Sequence, residues 1–291
     1  MLLTYRRQTR FALPFKPSNI IGEVLGQATP ELFNLSDDKC VCPFIKRGCT
    51  KRSANLGKTA PYPICSLWKK TQEERTPESD LICVCPKRFY AVDFLKDVIE
   101  YCWVGPLPNN PLVAPEVKMK GFGNVDFVIA DVDSGGDIKQ FLSVELQAVD
   151  ITGTVFPAYQ ALREGDSLSK RPTYNFNWDN VYKRYVTQLI RKGYFHHHWK
   201  TKIVAVIQEQ VYNYIVERAD FMRSTNIKDQ NVNIIFMAYK FKDDPMRPGQ
   251  YFPVLSTVEG TSHSNLQAAI LYKDAPSRDE FCMQIQKSLA R

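Results

Sequence analysis

The segment VDFVIADVDSGGDIKQFLSVELQAV, residues 125–149, decides how this chain is read. Val125–Val132 is a strand-like apolar run, Ser134–Gly136 is turn material, and Ile138–Val149 is a second strand-like run. A connection this short joins antiparallel strands. Residues two apart on a strand share a face, so Glu145 and Gln147 point one way while Val144, Leu146 and Ala148 point the other. An acid and an amide inside an apolar run are costly unless paired or liganded. The hairpin brings Asp126, equally surrounded by apolar residues, beside Glu145. Two carboxylates so placed can share a hard divalent cation such as Mg2+, which takes oxygen ligands and keeps positions open for phosphate and water. That chemistry fits phosphodiester hydrolysis. Asp126 and Glu145 are the expected ligands, helped by the Leu146 carbonyl, with Gln147 positioning the attacking water or a phosphate oxygen. A further acid commonly assists such a pair; Glu116 is the first candidate and Glu100 the second.

Working outward, Phe89, Val92, Phe94, Leu95, Val98, Ile99 and Cys102 recur at helical spacing, and GPLPNNP at 105–111 ends that helix. Residues 165–177 read as a polar loop. Helices are expected over 178–194, 211–219 and 278–289, and buried strands at 203–207 and 233–239. Helices alternating with hairpin and buried strands describe an α/β sandwich, a mixed sheet flanked by helices. The triplet His196–His198 follows an expected helix end at Lys192 and Gly193, where a solvated role that complements the helix dipole is expected.

The 291 residues carry a net charge of +7, with 44% hydrophobic and 24% charged side chains, which suits a globular protein. No apolar run approaches the length of a membrane span and the first residues lack the pattern of a secretory signal, so a cytoplasmic protein is expected. The charge is concentrated. Between Lys39 and Tyr90 there are eleven Lys or Arg against four acids, an excess that accounts for all +7. The same stretch holds Cys40, Cys42, Cys49, Cys65, Cys83 and Cys85, whereas Cys102 and Cys282 sit in helices as ordinary core cysteines. A basic, cysteine-dense module suggests a polyanion partner, with DNA the leading candidate. In a cytoplasmic chain, clustered cysteines favour a metal over disulfides, and four thiolates suit zinc or iron. Spacing alone does not choose four ligands from six. The expected organisation is an N-terminal arm and cysteine-rich metal-binding module over 1–88, then a nuclease domain over 89–291.

Taken together, CPF at 42–44, CTK at 49–51, CSL at 65–67, CPKRF at 85–89, GNVDFVIA at 123–130, VELQ at 144–147 and NWDNVYKR at 177–184 resemble the NotI family of restriction endonucleases. The likeness runs over roughly residues 40–210. It implies a PD-(D/E)xK nuclease fold, in which many relatives carry lysine where this chain has Gln147. It implies a type II restriction endonuclease, a homodimer that uses Mg2+ to cut double-stranded DNA at a GC-rich palindrome containing CGGCCG and leaves 5′-phosphate ends. It also implies an iron atom held by four cysteines, best matched here by Cys42, Cys49, Cys65 and Cys85, with Cys40 and Cys83 as neighbours. Guanines are read by Arg or Lys in the major groove; the candidates are Arg163, Lys170, Arg171, Lys183 and Arg184. Two other functions remain open from the residues alone: a repair or recombination nuclease of the same fold, and a non-catalytic, metal-stapled DNA-binding protein.

Overall fold

The computed structural model describes residues 15–29, 40–52, 61–70, 75–272 and 277–290. Most of the arm expected over 1–38 lies outside them. The strands, in chain order, are β1 (Ile21–Val24), β2 (Gln27–Ala28), β3 (Val41–Cys42), β4 (Arg47–Gly48), β5 (Ile64–Trp68), β6 (Leu81–Cys83), β7 (Leu112–Met119), β8 (Gly123–Val132), β9 (Ile138–Gln147), β10 (Ile151–Gly153), β11 (Tyr174–Phe176), β12 (Lys202–Gln208), β13 (Ile234–Asp243) and β14 (Tyr251–Thr261). The helices are α1 (Pro77–Asp80), α2 (Phe94–Cys102), α3 (Phe156–Glu164), α4 (Trp178–Asn180), α5 (Thr187–His198), α6 (Glu209–Arg218), α7 (His263–Leu271) and α8 (Arg278–Leu289). A π-helical turn, Val181–Val186, joins α4 to α5.

The fold is mixed α/β, around a six-stranded sheet in the order β14-β13-β12-β9-β8-β7. Tight connections make β7, β8 and β9 an antiparallel meander. The long excursion through α3, β11 and α5 returns the chain as β12 parallel to β9, and α6 then carries it to β13, parallel again. Every residue of β12 is buried, as a central strand covered on both faces requires. One face of the sheet (Leu142, Val144, Leu146, Val204, Val206, Met237) packs on α2 through Phe94, Val98 and Cys102. The opposite face (Ile203, Ala205, Ile207, Phe236) packs on α3, α5, α6 and α7, together with Ile21, Ile64 and Leu67 of β1 and β5.

Several expectations change. Residues 39–88 carry little apolar period, yet β5 and β6 are buried; β5 pairs with β1 on one side and β6 on the other, in a sheet that shares the main core. The helix expected from Phe89 begins at Phe94, because Asp93 caps it by accepting the Lys96 amide at 3.1 Å. The loop over 165–177 contains β11, paired with β10. The helix expected to end at Lys192 and Gly193 continues to His198. Gly193 is needed for close packing there, since a Cβ would stand 2.7 Å from the Ile234 side chain. His196 is fully buried, so the solvated role expected for it is corrected. Its Nδ1 lies 2.7 Å from the Lys192 carbonyl and its Nε2 2.7 Å from Ser143 Oγ. A carbonyl only accepts, so Nδ1 carries the proton and the Ser143 hydroxyl donates to Nε2. Cys102 is buried as expected. Cys282 is not a core residue, because α8 has no buried residue.

Two polar devices tie the N-terminal sheet to the body. The Gln208 side chain, fully buried, accepts from the Cys83 amide at 2.8 Å and donates to the Leu81 carbonyl at 2.6 Å, extending the edge of β6 as another strand would. Arg88, after β6, forms a bidentate pair with Glu23 of β1 at 2.8–3.2 Å. Ser66 donates to the same carboxylate at 2.8 Å, and the Phe44 and Phe241 rings flank the guanidinium. Both charged groups are about fully buried, so removing one strands the other in the core. Arg88→Met is expected to cost about 3–5 kcal/mol in urea unfolding, and Glu23→Leu/Arg88→Met together markedly less. A loss near zero for the single variant would refute this role.

Candidate active site

The sheet sets the candidate residues side by side. In the β8–β9 register Phe127 faces Val144, so one step further Asp126 faces Glu145. In the β7–β8 register Pro115 faces Phe127 and Val117 faces Val125, with Glu116 between them, at the level of Asp126. Glu116, Asp126 and Glu145 thus form a row across three adjacent strands, continued by Ala205 of β12. Asp126 Oδ2 accepts from the Leu146 amide at 2.7 Å, which locks the two strands at the row. Glu116 is exposed and has φ +53°, a left-handed conformation that glycine favours. Its carboxylate accepts from Asn124 Nδ2 at 3.4 Å. Gln147 follows Glu145 on the same face, half-buried, and its amide donates to the Ala148 carbonyl. Glu100 lies elsewhere: it is exposed on α2 and its charge acts on the Tyr101 hydroxyl. Of the two candidates for a further acid, only Glu116 joins the pair.

The sequence reading missed two residues of this face. Lys192, 4% exposed on α5, donates to Glu145 Oε1 and, at 2.7 Å, to the Asn124 carbonyl of β8. Tyr185, 4% exposed in the π turn, has a buried hydroxyl with no hydrogen-bond partner among the described residues. The charges of Glu145 and Asp126 both reach that hydroxyl. Both residues looked like parts of a helix, Tyr185 in an apolar stripe and Lys192 at a helix end. The available signal was the spacing of Tyr185, Leu189, Lys192 and His196, which puts a lysine on an otherwise buried helical face.

The electrostatics follow from this crowding. Burial pushes the Glu145 carboxyl up to about 7; the Lys192 ammonium pulls it down, while Asp126 and Glu116 push it up. Asp126 is also raised, chiefly by burial and then by Glu116, against the Leu146 amide. Burial lowers His196 to about 4, so its ring stays neutral at physiological pH. Among the described residues, no three His, Cys, Asp or Glu side chains are drawn together as a metal would need. Each of the two central acids has an oxygen engaged by the protein, Glu145 by Lys192 and Asp126 by Leu146. The donor set and the unpartnered Tyr185 hydroxyl nonetheless fit a hydrated, oxygen-seeking cation.

Cys40, Cys42 and Cys49 are buried with Phe44, Ile45 and Leu25. Burial raises the Cys49 thiol, and Cys85 and Cys42 add to it; burial raises Cys65, with Glu23 and Cys85 adding. Cys49 thus senses Cys42 and Cys85, while Cys65 and Cys83 each sense Cys85. Cys83 points into the other core, where burial pushes it up to about 12. Lys51 donates to the carbonyls of Ile64 at 3.1 Å and Val84 at 3.0 Å, the peptides leading into Cys65 and Cys85. Of the candidate base readers, Lys183 pairs with Asp179 at 3.2 Å on the surface, and Arg171 donates to the Lys70 carbonyl at 2.9 Å. Arg163, Lys170 and Arg184 are exposed.

No helix among the described residues is long and apolar enough to cross a membrane. No curated protein sequence matches the chain. The family model described as restriction endonuclease NotI matches residues 31–253, which spans every cysteine but Cys282, the carboxylate row and Lys192. That match selects a restriction enzyme over a repair nuclease or a non-catalytic DNA-binding protein. The chain belongs to the NotI restriction endonuclease family, and is a type II, site-specific deoxyribonuclease acting on DNA.

Proposed function

We propose that this enzyme, part of a restriction system, cuts double-stranded DNA in a Mg2+-dependent reaction of the PD-(D/E)xK type. The target is a GC-rich palindrome containing CGGCCG. Asp126 and Glu145 hold the cation, Glu116 assists, and Gln147 orients the attacking water or a phosphate oxygen. The observation that carries this reading is the row Glu116–Asp126–Glu145, with Asp126 bonded to the Leu146 amide. Bound Mg2+ supplies Lewis acidity, lowering the pKa of water and neutralising charge on the phosphate. Lys192 keeps Glu145 in register with Asp126. The Gln147 amide can orient a water but has no basic site to take its proton. The water oxygen bonds to phosphorus and gives up a proton to solvent, the bond from phosphorus to the 3′ oxygen breaks, and that oxygen takes a proton from solvent water and leaves as a hydroxyl, giving 5′-phosphate ends. A homodimer would match a two-fold palindrome with one centre per strand.

For the cysteine module the reading is a structural iron or zinc held by Cys42, Cys49, Cys65 and Cys85. Support comes from the thiol chemistry, from the burial of Cys42 and Cys49 in one cluster, and from Cys83, which also senses Cys85, packing into the other core. Such a metal would add folding free energy to a region that carries little apolar period.

Three outcomes are expected. Asp126→Asn and Glu145→Gln each slow cleavage by at least about 1,000-fold, roughly 4 kcal/mol of barrier, with cognate binding in gel shifts retained. Wild-type cleavage by either would remove these residues from the site. Because Glu145 stands at about 7 without metal, protons compete with Mg2+ below that pH. The Mg2+ concentration for half-maximal cleavage should therefore fall as pH rises to about 7 and level off above it; a flat profile would contradict the raised carboxyl. Cys49→Ser and Cys65→Ser should yield destabilised protein depleted in iron or zinc by elemental analysis, while Asp126→Asn keeps its full content. Full occupancy in both serine variants would exclude this ligand set.

A further inference from the structure

The helical run from Trp178 to His198 lies over the face of the sheet that carries Ser143, Glu145 and Gln147. Three of its side chains meet that face with polar atoms. Two are satisfied: His196 by Ser143, and Lys192 by Glu145 and the Asn124 carbonyl. The third, the Tyr185 hydroxyl, is buried and bonds to nothing among the described residues. A buried hydroxyl without a partner carries an unrepaid desolvation cost, and phenylalanine would fill the same space without that penalty. Native proteins leave few such groups, and a water or ion is a usual reason for one.

The surroundings specify what the hydroxyl meets. The charges it feels are those of Glu145 and Asp126. Burial and these two acids hold the phenol protonated well above its usual range, so it can only act as a neutral donor and acceptor. It sits in the π turn Val181–Val186, a distortion frequent at functional sites. Leu189, Gly193 and the His196–Ser143 bond fix the helix below the turn, so the hydroxyl is held in place.

We propose that Tyr185 is a water-positioning residue of the nuclease centre, its hydroxyl holding a water against the carboxylates of Asp126 and Glu145. The inference rests on the Mg2+-dependent reading above and extends it. On the strand, position 147 supplies an amide, so the ordering of water is shared with a hydroxyl from the helix. The water held there completes the hydration shell of a cation bound by the two acids, and the hydroxyl acts through it without touching the DNA.

The test is Tyr185→Phe, which removes one oxygen. Because that oxygen has no partner among the described residues, the variant should melt at the wild-type temperature or above. Its kcat on cognate DNA should fall by about 10- to 100-fold, the worth of one hydrogen bond to a charged network, with KM unchanged. Calorimetric titration of the DNA-free protein with Mg2+ should show several-fold weaker binding. Wild-type kcat in the variant overturns the proposal. So does a lowered kcat accompanied by a clear drop in melting temperature, since the hydroxyl would then be supporting the fold. Failure of the wild-type protein itself to cleave with Mg2+ would overturn the nuclease reading and this inference together, and is distinguishable from the other two results.

Discussion

A lysine ammonium buried against a carboxylate is expensive to desolvate, and it persists only where geometry and further hydrogen bonds repay it. Lys192 and Glu145 meet that condition. The ammonium also bonds to the Asn124 carbonyl, so one side chain joins α5 to both strands of the hairpin that carries the acids. One helical turn later His196 bonds to Ser143, two residues before Glu145. A helical spacing of four residues is thus matched to a strand spacing of two. Sliding α5 along the sheet would break both contacts at once, and Gly193 lets the helix approach closely enough to make them. The polar face of β9, otherwise a defect in an apolar core, becomes the surface on which the helix is registered.

The N-terminal region is joined to the body by the same kind of contact. Gln208 ends the central strand β12 and completes the hydrogen bonding of β6, while the Val149 amide donates to the Cys83 carbonyl at 3.0 Å. The Arg88–Glu23 pair then connects β1 to the turn that follows β6. Buried apolar residues run without interruption from Ile20 and Ile64 to Phe236 and Leu266. Leu25, just after β1, packs against both this core and the separate cluster of Cys40, Cys42 and Cys49, so those cysteines border the main packing unit.

The hairpin was legible because a strand period of two separates Glu145 and Gln147 from their apolar neighbours, and because Ser134–Gly136 leaves room for little but a turn. The register that brings Asp126 opposite Glu145 follows from that short connection. β7 was not legible: Pro115 interrupts it and most of its side chains are exposed, as an edge strand permits. Lys192 was misread because the sequence Arg191-Lys192-Gly193 has the composition of a helix C-terminus. Glycine there makes room for the Ile234 and Asn233 side chains of the sheet, a tertiary cause invisible in local sequence. Tyr185 fitted an apolar stripe and does pack in the core; only its position against two acids marks its hydroxyl.

Both groups of candidate ligands are built on the same plan. Lys192 bonds to Glu145 and to a carbonyl two residues before Asp126; Lys51 bonds to the carbonyls immediately before Cys65 and Cys85. In each case one ammonium bridges two segments that bear candidate ligands, Lys192 through one carboxylate and one carbonyl, Lys51 through two carbonyls. Burial alone pulls the Lys51 ammonium down, and the thiols of Cys85, Cys65, Cys83 and Cys49 counter that pull. Such a lysine supplies positive charge where several acids or thiols converge, and its bonds to main chain keep it from collapsing wholly onto one of them. In both clusters the backbone that carries the candidate ligands is thereby fixed by a lysine rather than by the ligands themselves.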